Sequence, residues 1–300
     1  MKKLIMFLFI VFCNIKVFAQ PEIVFLADCQ APLWIEQIFL KNENNIQASD
    51  SLFIRIIRRE PSAVFLLGDM VANGSSNSSW KRFDEFLRSL KSKKIQYYAT
   101  PGNHEYFLSN KKGSQNFKVR FQLQNENFVV QIVDSIAIIL LNSNFGKITM
   151  SEKNEMISNY ENTLYLLDEL PTVKYILVCT HYSPYTNSSI VSPSEEVERM
   201  LVPQYLQSKK AFLFLSGHSH NLELFKQKRK YFFVIGGGGG LKQELEPLEK
   251  RRYQEIYKNV ERYRFFFVTV ERKRNGILFG VHGMNTSSEQ EQHEYIFLRY

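Results

Sequence analysis

The sequence predicts an α/β fold in which two mixed β-sheets pack face to face, with helices on the outside. Short apolar runs rich in β-branched and aromatic residues recur along the chain, and helical patterns separate several of them. These runs occupy residues 22–27, 63–67, 95–99, 173–179 and 211–215. Each run is continuous rather than alternating, as expected for strands that are buried on both faces.

The helices are predicted from apolar spacing and from their end signals. Apolar residues at helical spacing predict helices at residues 49–59 and 79–93. Another helix is expected from about Ser151 to Leu170, because Pro171 would end it. Ser192-Pro193-Ser194-Glu195 matches a capping box with proline at the first helical position, so a further helix is expected to begin there.

The remaining segments are predicted to add strands. Residues 117–141 look strand-like with little helix, and residues 231–236, 263–271 and 276–282 look similar. The segment from Gln243 onward is expected to complete the second sheet. No internal repeat or linker divides the chain, so residues 20–300 are predicted to form one domain, with a motif core at 22–240 and C-terminal strands at 241–300.

The first nineteen residues predict a cleavable signal peptide and a secreted or periplasmic protein. Two lysines precede an apolar run from Leu4 to Phe12, and small Ala19 precedes Gln20. A run of this length is too short to span a bilayer, which needs about 20 apolar residues, so no integral membrane protein is expected after cleavage. Cys29 and Cys179 would remain, and two buried thiols are expected rather than a disulfide framework.

Composition and charge narrow the function classes. A chain with 44% hydrophobic and 23% charged residues is globular rather than disordered. The net charge of +8 falls to +5 without Lys2, Lys3 and Lys16, which is too small to indicate a nucleic-acid partner. Nothing in the sequence indicates a specific protein partner either.

Potential metal ligands follow every one of the five buried strands. Because such sheets place ligand sites beyond the carboxyl ends of their strands, these loops are expected to converge. Four of the six histidines of the chain lie in them. The loops contain Asp28 and Gln30, Gly68-Asp69, Gly102-Asn103-His104-Glu105, Thr180-His181, and Gly217-His218-Ser219-His220.

The donor types indicate which ions suit this cluster. Carboxylate, imidazole and amide oxygen without thiolate suit Mn, Fe or Zn and argue against a structural zinc–thiolate site. There are too many ligands for one ion. Two ions about 3.5–4 Å apart, bridged by a carboxylate and a hydroxide, would use them all and would clamp a phosphorus centre for in-line attack.

The ordered set Asp-x-x, Gly-Asp, Gly-Asn-His-Glu, His and Gly-His-x-His resembles the calcineurin-like metallophosphoesterase superfamily from residue 22 to about 240. The resemblance implies a four-layer α/β/β/α sandwich. It also implies that Asp28, Asp69 and His220 hold one ion, and that Asp69 bridges to a second ion. That second ion would be held by Asn103, His181 and His218. His104 would face the substrate, stabilising phosphoryl charge or protonating the leaving oxygen.

Two departures from the family pattern affect this assignment. Gln30 stands where the family usually has a histidine, and either it coordinates the first ion through its amide oxygen or it hydrogen-bonds a metal-bound water. Ala72 stands where related protein phosphatases have an aspartate that orients the catalytic histidine. Purple acid phosphatases have a tyrosine ligand there, so neither the protein-phosphatase branch nor a ferric-tyrosinate centre is expected.

Two other features near the predicted centre have less specific interpretations. Gly236–Gly240 lacks the Gly-Lys-Ser/Thr ending of a nucleotide loop, so a close-approach loop beside the metal cleft is expected rather than a phosphate cradle. Tyr106, Phe107, Tyr182 and Tyr185 either border the cleft or pack in the core.

The expected function is an exported hydrolase of small-molecule phosphomonoesters or phosphodiesters that uses two metal ions. The alternative is a phosphate-ligand-binding protein on the same scaffold, with one metal site weakened at Gln30.

Overall fold

A computed structural model describes residues 22–33, 35–38, 42–257, 262–285 and 290–300. The predicted signal peptide, residues 1–19, lies outside the described residues. Within the described ranges, no helix combines the length and the apolar composition needed to cross a membrane.

Two mixed six-stranded sheets, flanked by helices, form the fold, as predicted. The first sheet has the order β12-β11-β10-β1-β2-β3 and the second has the order β4-β5-β6-β7-β9-β8. The strands are β1 Ile23–Leu26, β2 Ala63–Leu67, β3 Gln96–Thr100, β4 Phe128–Val133, β5 Ile136–Leu141, β6 Tyr175–Cys179, β7 Ala211–Ser216, β8 Leu222–Gln227, β9 Lys230–Ile235, β10 Phe265–Lys273, β11 Gly276–Met284 and β12 Gln292–Arg299. The α-helices are α1 Asn45–Arg59, α2 Asn77–Ser92, α3 Asn110–Phe121, α4 Met150–Glu169, α5 Glu195–Met200 and α6 Val202–Gln207.

Most parallel neighbours in the two sheets are joined by helices, whereas β7 and β9 are joined through β8. β1, β2 and β3 are parallel neighbours, with α1 and α2 as their connections. β5, β6, β7 and β9 are parallel neighbours in the second sheet. Such connections leave the carboxyl ends of the parallel strands of a sheet along one edge.

The layers are held together by three apolar clusters. Successive side chains of a strand point to opposite faces, so Phe25 and Phe65 pack between the two sheets, whereas Val24 and Leu66 face the helices. The helices of the second sheet bury Tyr160 and Tyr205 against its outer face. This burial on both faces explains why the strands appear in the sequence as continuous apolar runs.

The C-terminal strands extend the first sheet, so the expectation that they complete the second sheet is wrong. β10 pairs antiparallel with β1, with Ile23 opposite Val270, and β11 and β12 follow it outward. β1 is therefore enclosed between β2 and β10.

Other local predictions need correction. The segment expected to hold little helix begins within α3, whose apolar stripe is only Phe117 and Phe121 beside Gly113. The helix expected to have proline at its first position begins at Glu195, because Ser194 caps it by accepting a hydrogen bond from the Val197 amide. Strand β8 was not predicted, and β12 lies within the predicted C-terminal strands at 241–300, for which no separate bounds were given. Cys29 and Cys179 are free, buried thiols, as predicted.

Candidate metal centre

The five loops that follow β1, β2, β3, β6 and β7 meet at one edge of the sandwich. The Asp28 carboxylate accepts a hydrogen bond of 2.9 Å from the His218 amide, 190 residues away in the sequence. The rings of His181 and His218 lie 5.1 Å apart between centroids. The side chains predicted to converge from these loops therefore do so.

The carboxylates and imidazoles that are predicted to be ligands form two groups that share Asp69. Asp28, Asp69 and His220 form the first group, and Asp69, His181 and His218 form the second; in each, one ligand atom per residue lies within 4.8 Å of the others. The closest pairs are His181 Nε2 with Asp69 Oδ2 at 3.3 Å and His220 Nε2 with Asp28 Oδ1 at 3.6 Å. This is the division of ligands that the family resemblance implies.

The two amide side chains of the predicted set also face these groups. Oδ1 of Asn103 lies 3.1 Å from Nε2 of His181, beside the second group. With the amide of Gln30 oriented so that its nitrogen donates to the main-chain oxygens of Asp28 and Asp69, at 3.2 and 3.0 Å, its oxygen faces His220 Nε2 at 3.3 Å. Both roles considered for Gln30 place an oxygen at this position.

His104 is held at the edge of the centre by its neighbours. Its amide donates to Asp69 Oδ1 at 2.9 Å, and its ring Nδ1 lies 3.0 Å from the main-chain oxygen of Ala72. Nε2 lies 3.9 Å from Asp69 Oδ2 and 3.8 Å from Oε1 of Glu36, a residue that the sequence did not single out.

Glu105 organises the loops around Asp69, a role that the sequence did not reveal. Its buried carboxylate accepts hydrogen bonds from the amides of Gly102 at 2.7 Å, Asp69 at 2.8 Å and Met70 at 2.9 Å. The only available signal was its place in Gly-Asn-His-Glu, because its partners are main-chain groups of other residues. Glu105 thus fixes the β2 and β3 loops relative to each other.

Four of the predicted ligands have left-handed backbone conformations. The φ angles are 58° at Asp28, 52° at Asp69, 72° at His218 and 47° at His220. Non-glycine residues rarely adopt this region, and such strain costs about 1–3 kcal/mol per residue and clusters at functional sites. The fold therefore holds these side chains in positions that an unconstrained loop would avoid.

The glycine run packs directly against the first ligand group, as predicted. A Cβ at Gly240 would lie 2.5 Å from Cε1 of the His220 ring, and one at Gly236 would lie 2.6 Å from the His220 amide nitrogen. The Gly240 amide donates to the main-chain oxygen of Asp28 at 2.7 Å. Side chains at these positions would displace the ligand, which explains the need for glycine.

The carboxylates of the centre are affected by burial and by neighbouring imidazoles. Burial raises the pKa of Asp28 to about 7. Burial would also raise the pKa of Asp69, but the imidazoles of His181 and His104 hold it well below its usual range. Asp69 is therefore ionised near neutral pH, as the predicted bridging role requires.

The histidines divide into two kinds. Burial lowers the pKa of His218 to about 3 and that of His220 to about 4, so both rings are neutral and keep a free lone pair. Burial opposes charge on His181 and His104 as well, but the Asp69 carboxylate raises both pKa values, that of His181 to about 9. A cation bound between Asp69 and His181 would take the place of that proton.

A cavity of about 290 Å³ opens beside His218. Tyr182 lines it and packs on the His218 ring at 4.4 Å between centroids, and Ser143, Lys147 and Glu196 supply polar groups. Phe107 lies near His104 and is 42% exposed. Tyr106 and Tyr185 are buried in the core, so only two of the four aromatic residues considered border the centre.

Comparisons with known proteins agree with this fold. A family model described as calcineurin-like phosphoesterase matches residues 21–222. No curated protein matches the chain by sequence. Among solved structures, GAP50, described as the anchor in the inner membrane complex of Plasmodium, is similar with a TM-score of 0.68 and 14% identity, over 93% of this chain and 89% of that one.

Two solved phosphatases are also similar. The purple acid phosphatase PPD1 from yellow lupin has a TM-score of 0.68 and 15% identity, over 94% of this chain and 54% of that one. A dimetal phosphatase from Danio rerio has a TM-score of 0.59 and 12% identity, over 93% of this chain and 99% of that one. At these identities, the likeness to solved structures concerns the fold alone.

Proposed function

This chain belongs to the calcineurin-like phosphoesterase family and is a metal-dependent phosphoester hydrolase, and from that premise we propose that it acts through two metal ions held by the five loops. Asp28, Asp69 and His220 hold one ion. Asp69, Asn103, His181 and His218 hold the other. The observation that carries the proposal is the sharing of Asp69 between two groups of potential ligands.

The donor set fits two borderline or hard ions. It consists of buried carboxylates, imidazoles with free lone pairs and amide oxygens, and no thiolate is among the described groups that face the centre. Because of this donor set, Mn, Fe and Zn are the candidate ions. Two such ions bound there would neutralise the charge of the phosphate and supply a hydroxide near neutral pH.

The residues of the chain then have separate tasks. Asp69, ionised near neutral pH, holds both halves of the site at a fixed spacing and accepts the His104 amide hydrogen bond. His104 presents Nε2 at the edge of the centre, where a proton on that nitrogen stabilises phosphoryl charge or passes to the leaving oxygen. Glu105 holds the loops after β2 and β3 in place relative to each other, and these loops carry Asp69 and His104.

The substrate is proposed to be a small phosphate ester, either a monoester or a diester. The cavity beside His218, about 290 Å³, has the dimensions of a small-molecule site. Its polar lining and the Tyr182 ring fit a leaving group that has both hydroxyl groups and an apolar face.

The test is hydrolysis by metal-reconstituted protein. Chelator-treated protein is given Mn, Fe, Zn or Co and assayed with an aryl phosphate, a bis-aryl phosphate and a panel of natural esters. We expect hydrolysis that a chelator abolishes and that added metal restores, together with at least two bound ions per chain. Absence of hydrolysis with every ion, and at most one bound ion per chain, would contradict the proposal.

One observation favours a second candidate, a protein that binds phosphate-containing ligands without turning them over. Gln30 replaces the usual histidine beside the first group of ligands, and an amide is a poorer donor than imidazole. Phosphate binding in the absence of hydrolysis would support this candidate.

We also propose that the chain is exported. The support is the lysine pair, the apolar run and Ala19 at the start of the sequence. Expression in a secreting host and sequencing of the mature amino terminus tests it, with Gln20 as the expected first residue. A protein that keeps Met1 and stays inside the cell would contradict it.

A further inference from the structure

A second cluster of potential ligands lies on the outer strands of the first sheet, away from the five loops. His282 on β11 and His293 on β12 are opposite one another in the antiparallel register. Glu291 immediately precedes β12 and faces both rings. These are the two histidines that the predicted centre leaves unexplained.

The three ligand atoms form a small triangle. Nδ1 of His282 lies 2.8 Å from Nδ1 of His293. Oε1 of Glu291 lies 3.4 Å from the first nitrogen and 3.5 Å from the second. An ion with tetrahedral bonds of about 2.0–2.1 Å separates its ligands by about 3.3 Å, so one ion reaches all three atoms with little movement.

The buried ring is held in the orientation that a ligand needs. Nε2 of His282 lies 2.8 Å from Oγ1 of Thr269, and the ring stacks on Phe267 with centroids 5.0 Å apart and planes 14° apart. Both contacts turn Nδ1 toward Glu291 and His293. A hydrogen bond at the other ring nitrogen is the usual support of a metal-bound histidine.

The Glu291 carboxylate has one oxygen, Oε1, that could bind a metal ion. Oε2 of Glu291 pairs with Arg55 at 3.1 Å. Oε1 is buried and makes no hydrogen bond of normal geometry to any residue that the structure describes, although Arg59 Nη1 lies 3.6 Å away. Arg59 is itself held by Glu22 through two hydrogen bonds of 2.8 Å. The arginines weaken cation binding but leave Oε1 aimed at the imidazoles.

We propose that His282, Glu291 and His293 form an additional metal site for a borderline divalent ion such as Zn²⁺, Ni²⁺ or Co²⁺. The His293 side chain is 43% exposed, so the ion enters from solvent and its fourth position holds water. Because the ligands join β11 to the start of β12, and Arg55 joins Glu291 to α1, the ion acts on stability. The proposal does not depend on the hydrolytic function.

The experiment is metal binding by the full chain after chelator treatment. Zn²⁺ content after dialysis is compared among the wild type, His293→Ala, Glu291→Gln and the matched control Gln292→Ala, which changes an exposed neighbour on the same strand. We expect one fewer ion per chain in the first two variants and wild-type content in the control.

A thermal measurement separates this site from the predicted centre. Zn²⁺ is expected to raise the Tm of Asp69→Asn, a variant in which the predicted centre is impaired. Adding His293→Ala to that variant is expected to remove this rise in Tm. Wild-type zinc content in both His293→Ala and Glu291→Gln would overturn the proposal and leave the cluster as a network of hydrogen bonds and ion pairs.

Discussion

Nδ1 of His104 lies 3.0 Å from the main-chain oxygen of Ala72. The position at which relatives resembling protein phosphatases have an orienting aspartate thus contributes a main-chain carbonyl to the same ring. Because a carbonyl only accepts, the contact keeps a proton on Nδ1, and a second proton on Nε2, which lies 3.9 Å from Asp69 Oδ2, makes the ring cationic. The missing carboxylate therefore does not leave His104 unoriented.

Replacing His104 with alanine is expected to lower kcat by about 10²–10⁴-fold, because a positioned proton donor is lost. Metal content should stay at the wild-type level, since His104 is not a predicted ligand. Aryl phosphate hydrolysis and elemental analysis measure the two effects, with Lys111→Ala on the exposed side of α3 as control. Unchanged kcat in His104→Ala would exclude His104 from the reaction.

Asp69→Asn is expected to reduce turnover by at least about 10²–10³-fold, because the neutral amide removes the charge that both ligand groups share. Metal content should fall as well. The matched control is Asp134→Asn at the turn between β4 and β5, where Asp134 pairs with Arg272. Wild-type hydrolysis by Asp69→Asn would count heavily against the centre.

Gln30→Leu tests the amide at the first group. The loss of the oxygen that faces His220 is expected to weaken metal binding about 10–100-fold, whereas Gln30→His should strengthen it because imidazole is the better donor. Equilibrium dialysis with Mn²⁺ or Zn²⁺ measures both, and Gln96→Leu at the exposed start of β3 is the control. Equal affinity in all four proteins would show that Gln30 has no part in metal binding.

Glu105→Leu is expected to destabilise the protein by about 3–5 kcal/mol, because the amides of Gly102, Asp69 and Met70 lose their acceptor in a buried site. Urea unfolding measures the change. Glu105→Gln keeps one acceptor oxygen and should lie between the wild type and Glu105→Leu. If all three proteins have the same stability, Glu105 does not organise these loops.

The free energy of unfolding is expected to depend on pH through the buried carboxyl group of Glu223. Burial raises its pKa to about 7, although Thr186 and Asn187 donate to it at 2.6 and 2.7 Å. The protonated form is therefore favoured in the folded protein. Its contribution to the free energy of unfolding is complete below the unfolded pKa, about 4.5, and is lost as the pH rises through about 7.

The measurement is urea unfolding of wild type and Glu223→Gln between pH 5 and 8. The wild type should lose about 2–3 kcal/mol more than the variant across this range. Glu249→Gln, at an exposed position, should behave as the wild type does. Parallel pH profiles for all three proteins would contradict the assignment.

The sequence predicted the elements whose signal is local. Strands β1, β2 and β6 are buried on both faces, so their apolar runs are continuous, and the ligands follow where the runs stop. Helix α3 was not predicted, because an apolar stripe made of Phe117 and Phe121 alone is too weak to indicate a helix.

Features that depend on main-chain groups distant in the sequence could not be predicted from the sequence. Glu105 binds amides supplied by other loops, and the Ala72 carbonyl that orients His104 has no side-chain signature. The pairing of β10 with β1 likewise depends on residues more than 240 positions apart.

That pairing has a consequence for the order in which the protein is built. β1, which precedes Asp28, has β2 on one side and β10 on the other, and β10 comes from residues 265–273 near the end of the chain. During synthesis, β1 cannot pair with β10 until residues 265–273 have been made, when most of the chain is complete. The strand that leads to Asp28 therefore reaches its final pairing only after residues 265–273 have been synthesised.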